Sequence, residues 1–139
     1  MSTPRWEHFE HDADIGVRGV GPSLASAFEQ AALAMSAIIT DLSLIKASEE
    51  VEIHCEEADT ALLFTDWLNA LIFQMATRKL LFSRFEVNID GAKLSAKARG
   101  EPIDREKHQP AVEIKGATYT ELVVAEQAGE FVAQCVVDV

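Results

Sequence analysis

The amino-acid sequence predicts an α+β fold, a two-layer single domain over residues 1–139 in which two helices pack on a mostly antiparallel sheet. Three observations lead to this prediction. Apolar residues recur at helical spacing in two segments, they alternate with polar residues elsewhere, and most alternating segments follow the second helix. Strands that succeed one another without an intervening helix pair antiparallel, and helices with a broad apolar face need a sheet to cover. A length of 139 residues fits one domain.

The N-terminal part is expected to hold one long extended segment and the first helix. Alternating apolar residues define the extended segment from Trp6 to Val20, and the Gly21-Pro22 pair ends it. Ser23 is the candidate N-cap of the helix, because its hydroxyl can accept a hydrogen bond from the first turn. Apolar residues at helical spacing continue this amphipathic helix to about Thr40-Asp41.

The second helix has the broader apolar face. A strand from Glu49 to Cys55, in which apolar and acidic residues alternate, precedes it. Asp59 or Thr60 is predicted to cap the helix, which runs to about Lys79. Its broad apolar stripe indicates that it is buried against the sheet.

After the second helix the hydrophobic period changes to two, which predicts strands. They are expected over Phe85 to Ile89, Lys93 to Arg99, Val112 to Ala117, Glu121 to Glu126 and Phe131 to Val139, with a turn at Asp90-Gly91 and a polar loop from Gly100 to Pro110. This run of strands is the main reason for expecting antiparallel pairing.

The chain is acidic, and its charge limits the partners that it can bind. Twelve Lys and Arg against 23 Asp and Glu give a net charge of −11 and a pI of about 4.7. Duplexes and anionic membranes attract a cationic surface, so we expect no direct nucleic-acid binding and no membrane association. A cation, a basic protein partner or plain solubility suits an acidic surface.

The sequence gives no sign of export or membrane insertion. The N-terminus lacks an apolar core and a small-residue cleavage pattern, and no apolar run approaches the ~18 residues of a membrane span. Cys55 and Cys135 lie far apart among apolar or strand-forming residues, which favours two reduced, packed thiols over a disulfide. We therefore expect a cytoplasmic protein.

Acidic residues at two places are candidates for holding a cation. Asp12 and Asp14 share one face if their segment is extended, and two adjacent carboxylates favour a hard cation such as Ca²⁺ or Mg²⁺. A solvated acidic turn explains the same residues, since acidic side chains are usually exposed. Asp138 and the α-carboxylate of Val139 form a second acidic pair, which either frays into water or supplies oxygen ligands.

Lys115, on a predicted strand, is the third candidate. A lysine on a strand usually faces solvent or protects a sheet edge, and it gains a role only near the acidic residues or a phosphate. The sequence contains no dinucleotide fingerprint, Walker loop, nucleophile elbow or zinc-protease motif. No motif therefore indicates catalysis.

Several segments, taken together in their order and spacing, resemble the archease family over essentially the whole chain. They are E-H-D-A-D-I-G (Glu10–Gly16), A-F-E-Q-A-A-L-A-M (Ala27–Met35), I-T-D (Ile39–Asp41), D-W-L-N-A-L-I (Asp66–Ile72), V-E-I-K-G-A-T-Y (Val112–Tyr119) and V-V-D-V (Val136–Val139). The resemblance implies a compact two-layer α+β domain, in agreement with the order of elements above. It also implies a protein cofactor of the RtcB-type RNA ligase, which joins RNA ends in tRNA splicing and repair with GTP.

The resemblance also implies roles for the candidate residues. Archeases promote guanylylation of the ligase's active-site histidine, allow multiple turnover, and hold a divalent cation that is usually Ca²⁺. The positions matching the family's cation ligands are Asp14, Asp138 and Val139, and Lys115 is similar to a lysine needed for activation. Asp12 stands where the family commonly has threonine, so it either adds an oxygen ligand or faces water.

Two other functions are open at this point. The family is also associated with a chaperone or specificity-modulating role toward a tRNA methyltransferase, which predicts altered modification sites and no need for guanylylation. A metal-dependent hydrolase using Asp12, Asp14 and Asp138 is disfavoured, because the sequence offers no general base or second metal shell. The resemblance therefore favours a non-catalytic activator whose partner is the ligase.

Overall fold

The computed structural model describes residues 3–139, within which lie eight strands and two long helices. The strands are β1 (Arg5–His11), β2 (Asp14–Gly21), β3 (Glu49–Glu56), β4 (Leu80–Asp90), β5 (Lys93–Pro102), β6 (Gly116–Ala117), β7 (Val123–Gln127) and β8 (Glu130–Asp138). The helices are α1 (Leu24–Ile39), α2 (Thr60–Arg78) and the single-turn α3 (Arg105–His108). The predicted α+β class, with two long helices packed on antiparallel strands, is confirmed.

The strands form two antiparallel sheets instead of the single sheet expected. In the larger sheet β8 is central, because β2 pairs with one of its edges and β6 and β7 share the other. β1 lies outside β2, and the smaller sheet has the order β3-β5-β4. Both long helices contact strands of both sheets. Their apolar residues are therefore covered from more than one direction.

The close approach of α1 to β2 depends on a glycine. A methyl group at Gly19 would collide with the carbonyl oxygen of Ala27 and the amide nitrogen of Ala31. Phe28 and Met35 on the same helix are fully buried. Glycine at this position lets the helix backbone lie directly on the strand, with the larger side chains filling the space on either side.

Both long helices begin at the N-caps that the sequence predicts. The hydroxyl of Ser23 accepts a hydrogen bond from the amide of Ser26 at 3.1 Å. The carboxylate of Asp59 accepts from the amides of Ala61 and Leu62 at 2.8 and 3.1 Å. These bonds satisfy amides that have no partner inside the helix. Within residues 3–139, no helix is both long enough and apolar enough to cross a membrane.

The segment predicted to be extended from Trp6 to Val20 is strand except at residues 12–13, but it forms the two strands of a hairpin instead of one. β1 pairs antiparallel with β2, and His11 lies opposite Asp14 across a turn at Asp12-Ala13. Asp12 has a φ of +51°, a left-handed conformation that Asp adopts more readily than most residues. The pattern of alternation hides the reversal, since both strands keep a period of two.

The predicted strand from Val112 to Ala117 is shorter than expected, and only Gly116-Ala117 pairs in the sheet. The amide of Ala111 donates to the carbonyl of Ile39 at 2.8 Å, which ties this segment to the end of α1 instead of a neighbouring strand. In the expected polar loop 100–110, β5 continues to Pro102 and α3 forms a single turn. The strand expected over 121–126 is β7, at 123–127.

Cys55 and Cys135 are free thiols, as predicted. Cys135 is fully buried in β8, and burial raises the pKa of its thiol to about 12. Burial, with a smaller contribution from the charge of Asp66, also raises the pKa of Cys55. Because the thiolate is the reactive form, both cysteines act as packed apolar side chains at neutral pH.

A buried histidine fixes the loop between β5 and the Lys115 segment. Nδ1 of His108 accepts the amide of Asp104 at 2.9 Å, so Nε2 carries the proton and donates to the carboxylate of Glu101 at 2.9 Å. Glu101 also accepts from the ammonium of Lys107 at 2.6 Å and from the amide of Lys46 at 2.8 Å. These donors, Lys107 first, lower the pKa of Glu101 to about 2.

Replacing Glu101 by Gln is expected to lower the free energy of unfolding at pH 7. Glu101 has a pKa of about 2 in the fold against an ordinary 4.5, so its stabilising contribution is complete above about pH 4.5 and is lost as the pH falls toward 2. The difference between wild type and Glu101→Gln should shrink over that range in chemical denaturation. A difference that stays constant from pH 6 to pH 3 would contradict this assignment.

A carboxylate on α1 covers an amide of β4. Glu29 accepts a hydrogen bond from the amide of Val87 at 2.8 Å. Partial burial raises the pKa of Glu29, the hydrogen bond from Val87 opposes that rise, and the charge of Glu86 adds to it. The hydrogen bond to the Val87 amide, and not the charge of Glu29, is therefore expected to stabilise the fold.

Two substitutions separate the acceptor from the charge. Glu29→Gln keeps an acceptor for Val87 and removes a partly desolvated charge, so the unfolding free energy at pH 7 should be equal or higher. Glu29→Ala leaves the Val87 amide unpaired and should cost about 1–3 kcal/mol. Because the pKa of Glu29 is raised in the fold, protonation at acid pH favours the folded state. The unfolding free energy of wild type should therefore increase relative to that of Glu29→Gln as the pH falls. If Glu29→Gln and Glu29→Ala lower the unfolding free energy equally, the charge of Glu29 stabilises the fold and this assignment is wrong.

Candidate functional site

The pairing of β2 with β8 brings the two acidic candidates together. Ile15 lies opposite Val137, and the next residues outward are Asp14, at the start of β2, and Asp138, at the end of β8. The amide of Val139 donates to the carboxylate of Asp14 at 3.4 Å. Asp138 is exposed, whereas Asp14 and Val139 are partly buried. Asp14 and the neighbouring residues Asp138 and Val139, which are separated from it by most of the chain, thus meet at one end of the larger sheet.

Lys115 lies on the other side of β8 at the same end. Gly116 is opposite Asp138 in the β6–β8 pair, and the amide of Lys115 donates to the carbonyl of Asp138 at 2.9 Å. Lys115 is exposed. A lysine and two aspartates therefore lie at adjacent strand ends. This arrangement, defined by Asp14, Asp138, Val139 and Lys115, is called the acidic end below.

Two residues that hold Lys115 in place were not predicted as site residues, although both lie in segments that carry the family resemblance, Asp66–Ile72 and Val112–Tyr119. Asn69 on α2 accepts from the amide of Ala117 at 2.9 Å and donates to the carbonyl of the same residue at 3.5 Å. Thr118 donates both its amide and its hydroxyl to the carbonyl of Val136, at 3.0 and 2.8 Å. Together they fasten the short strand β6 between α2 and β8. The signals available for Asn69 were its place in the segment Asp66–Ile72 and its polar side chain amid the apolar residues of α2.

Asp12 is placed differently from Asp14. The expected common face required an extended chain, but the hairpin turn puts Asp12 at its tip with 93% of the side chain exposed. Nδ1 of His11 lies 3.8 Å from the Asp12 carboxylate. His11 in turn lies opposite Asp14 in the β1–β2 pair. The geometric reason for joining Asp12 to Asp14 is therefore wrong, and a ligand role for Asp12 stays a prediction.

The donors at the acidic end are oxygen atoms. In the part of the chain from residue 3 to residue 139, no group of three or more His, Cys, Asp or Glu side chains is placed to hold a metal ion. A cation at the acidic end would need the carboxylates of Asp14 and Asp138 and the α-carboxylate of Val139. The amide of Val139 at Asp14 already fixes the end of the chain there. Such a donor set suits a hard cation, Ca²⁺ or Mg²⁺.

The acidic end is separate from a cavity of about 350 Å³ between α2 and residues 103–114. That cavity is lined mainly by apolar side chains, with Lys79, Arg105 and Glu113 among its polar ones. Asp14, Asp138 and Lys115 do not line it. The candidate residues thus form a surface that another macromolecule could contact.

Comparison with known proteins identifies a family. The model described as the archease protein family matches residues 6–139. An archease from Pyrococcus abyssi is 40% identical over 140 residues, which cover 97% of this chain and 99% of the relative. An archease from Sulfolobus acidocaldarius is 39% identical over 137 residues, with 97% and 99% coverage.

Two solved structures are similar to this one. The solution structure of Methanobacterium thermoautotrophicum protein 1598 has a TM-score of 0.85 and 36% identity, and covers 96% of this chain and 98% of its own. A 2.0 Å crystal structure from Thermotoga maritima, described as an archease and possible chaperone, has a TM-score of 0.57 and 23% identity, with 96% coverage of both chains. At that identity the second comparison supports the fold alone.

Proposed function

This chain belongs to the archease family, and we propose that it is a non-catalytic activator of an RtcB-type RNA ligase in tRNA splicing and RNA repair. In this proposal it promotes GTP-dependent guanylylation of the ligase and so allows multiple turnover. The observation that carries the proposal is the meeting of Lys115 with Asp14, Asp138 and Val139 at one exposed end of the sheet.

The chemistry assisted in this proposal belongs to the ligase. A ligase histidine attacks the α-phosphorus of GTP, a nitrogen–phosphorus bond forms, and pyrophosphate leaves. Negative charge on the triphosphate must be balanced as the leaving group departs. Lys115 supplies an exposed ammonium whose backbone is held by its hydrogen bond to Asp138 and by the neighbouring β6 pairing. We assign Lys115 the role of placing that charge at the ligase's nucleotide site.

The proposal includes a divalent cation, with Ca²⁺ as the expected ion, held by Asp14, Asp138 and the α-carboxylate of Val139. A bound cation would neutralise carboxylates that otherwise repel one another across β2 and β8. It would also fix the end of β8 and, through the Asp138 carbonyl, the backbone of Lys115. The chain's own residues thus couple the carboxylates to the position of the lysine.

Titration with Ca²⁺ tests the ligand set directly. Asp138→Asn and Asp14→Asn should each weaken Ca²⁺ binding at least about tenfold in calorimetry, because each removes one of three carboxylate ligands. Asp90→Asn is the matched control, since it changes the net charge equally but is exposed at the β4–β5 turn of the smaller sheet. It should leave the affinity within about twofold. Equal weakening in all three variants would indicate general charge attraction instead of a site.

The acidic charge of the chain supports a protein partner that binds RNA. A protein that grips RNA carries a basic surface, and a chain with a net charge of −11 is drawn to it at long range. Direct binding of this chain to RNA would instead place like charges together. The proposal therefore assigns RNA recognition to the ligase and assistance to this chain.

The activation assay measures ligase guanylylation with GTP under multiple-turnover conditions. Lys115→Ala should abolish stimulation and leave the melting temperature within a few degrees, because the side chain is exposed. Lys97→Ala is the matched control: Lys97 is also exposed, but on β5 opposite Glu52 and Glu86, and its loss should leave stimulation intact.

Full stimulation by Lys115→Ala would contradict the role proposed for the lysine. If wild type itself leaves the ligase unchanged, the activator proposal fails. The tRNA methyltransferase would then be the partner to test, through the positions that it modifies.

A further inference from the structure

Two large side chains near Lys115 are left exposed by the fold. Among the large apolar residues in the described chain, Tyr119 at 71% and Phe73 at 62% are the most exposed. Burying a phenylalanine fully would contribute about 2–3 kcal/mol, so Phe73 brings little stability to α2 at this position. Trp67 and Phe64 on the same helix are fully buried. Phe73 thus stands on the face of α2 that turns away from the core.

Both exposed aromatic residues lie close in the chain to the contact between α2 and β6. Asn69 fixes the point where α2 meets β6, because its side chain binds Ala117. Phe73 is one helical turn from Asn69, about 6 Å along α2. Tyr119 follows Ala117 by two residues.

The direction of the chain places the two residues on either side of this contact. Residues 112–114 line the same cavity as Ile72, Met75 and Ala76 of α2, whereas Gly116-Ala117 lie at Asn69. The segment 112–117 therefore runs antiparallel to α2. Phe73 accordingly lies on the Lys115 side of Asn69, and Tyr119 lies on the opposite side.

We propose that Phe73 and Tyr119, termed the aromatic flank, are the apolar anchors through which the chain binds its ligase partner on either side of the Asn69 contact next to Lys115. This inference rests on the function proposed above and names the contact surface for it. The partner's surface would be basic, with apolar recesses that accept the two rings. At this interface, charge would then orient the partners and apolar contact would hold them together.

This division follows from how interfaces gain affinity. Complementary charge accelerates encounter and orients the partners, but exposed charge pairs add little affinity and weaken with salt. Buried aromatic residues are the side chains that most often dominate binding energy at an interface. In this proposal the acidic end supplies the charge that steers the encounter, and the aromatic flank supplies the buried contacts. The two are connected through Asn69 and the segment that contains Lys115.

The test compares Phe73→Ser, Tyr119→Ser and the double variant with wild type in binding to the purified ligase. Each single variant should raise Kd about tenfold or more, mainly through faster dissociation, because hot-spot aromatics act on the off-rate. Stimulation of guanylylation should return at saturating concentrations of the variants, since Lys115 and the acidic end are unchanged. Trp6→Ser is the matched control, because Trp6 is also an exposed aromatic residue, at 37%. It lies five residues from His11 along β1, about 17 Å from the acidic end, and its loss should leave Kd within twofold.

The outcomes separate this inference from the function on which it rests. Absence of ligase binding and stimulation by wild type would mean that the proposed function fails. Wild-type stimulation together with unchanged Kd values for both serine variants would overturn the aromatic flank alone. Sedimentation of wild type at several concentrations tests the alternative that a second copy of the chain binds this surface. A dimer that Phe73→Ser or Tyr119→Ser abolishes would assign the surface to self-association and overturn the inference.

Discussion

The antiparallel pairing of β2 with β8 is the constraint on which both the fold and the candidate site depend. It places Ile15 opposite Val137 and makes β8 the centre of the larger sheet. Because side chains alternate along a strand, a slip of one residue would move Cys135 and Val137 off the face of β8 that belongs to the core. The same slip would move Asp138 away from Asp14. One register therefore defines both the core and the acidic end.

That register is itself fixed by packing on one face of the sheet. Val17, Cys135 and Val137 are fully buried, and α1 lies on β2 because Gly19 has no side chain. A larger residue at 19 would push the helix backbone away and loosen the contacts that hold the strands in place. The site at the end of the sheet is thus positioned by apolar contacts that lie along the strands and away from the acidic end.

The features that could be predicted from the sequence are those encoded locally. The two long helices and their caps at Ser23 and Asp59 follow from spacing and from a side chain within a few residues of the amides that it binds. The hairpin turn at Asp12-Ala13 could not be predicted, since its geometry lacks a glycine or proline signal. The division into two sheets was also hidden, because it depends on which strands pair, and alternation is the same in either sheet.

For the candidate site, the residue types alone left several alternatives open. The carboxylates of Asp14 and Asp138 are more than a hundred positions apart, so their meeting follows from strand pairing and was expected only through the family resemblance. Asn69 could not be singled out, since its contact with Ala117 joins a helix to a strand. Phe73 was equally hidden, because the helical pattern does not say how far the core extends around α2.

The central position of β8 has a consequence for how the protein is made. β8 follows the other seven described strands in the sequence, and its partner β2 precedes it by more than a hundred residues. During synthesis β1, β2 and α1 leave the ribosome long before their main partner exists. The inner edge of β2 then presents unpaired amides and carbonyls that can pair with other chains. Closure of the sheet must wait for this late, long-range contact, which makes the newly synthesised chain dependent on fast capture of β8 or on protection until it emerges.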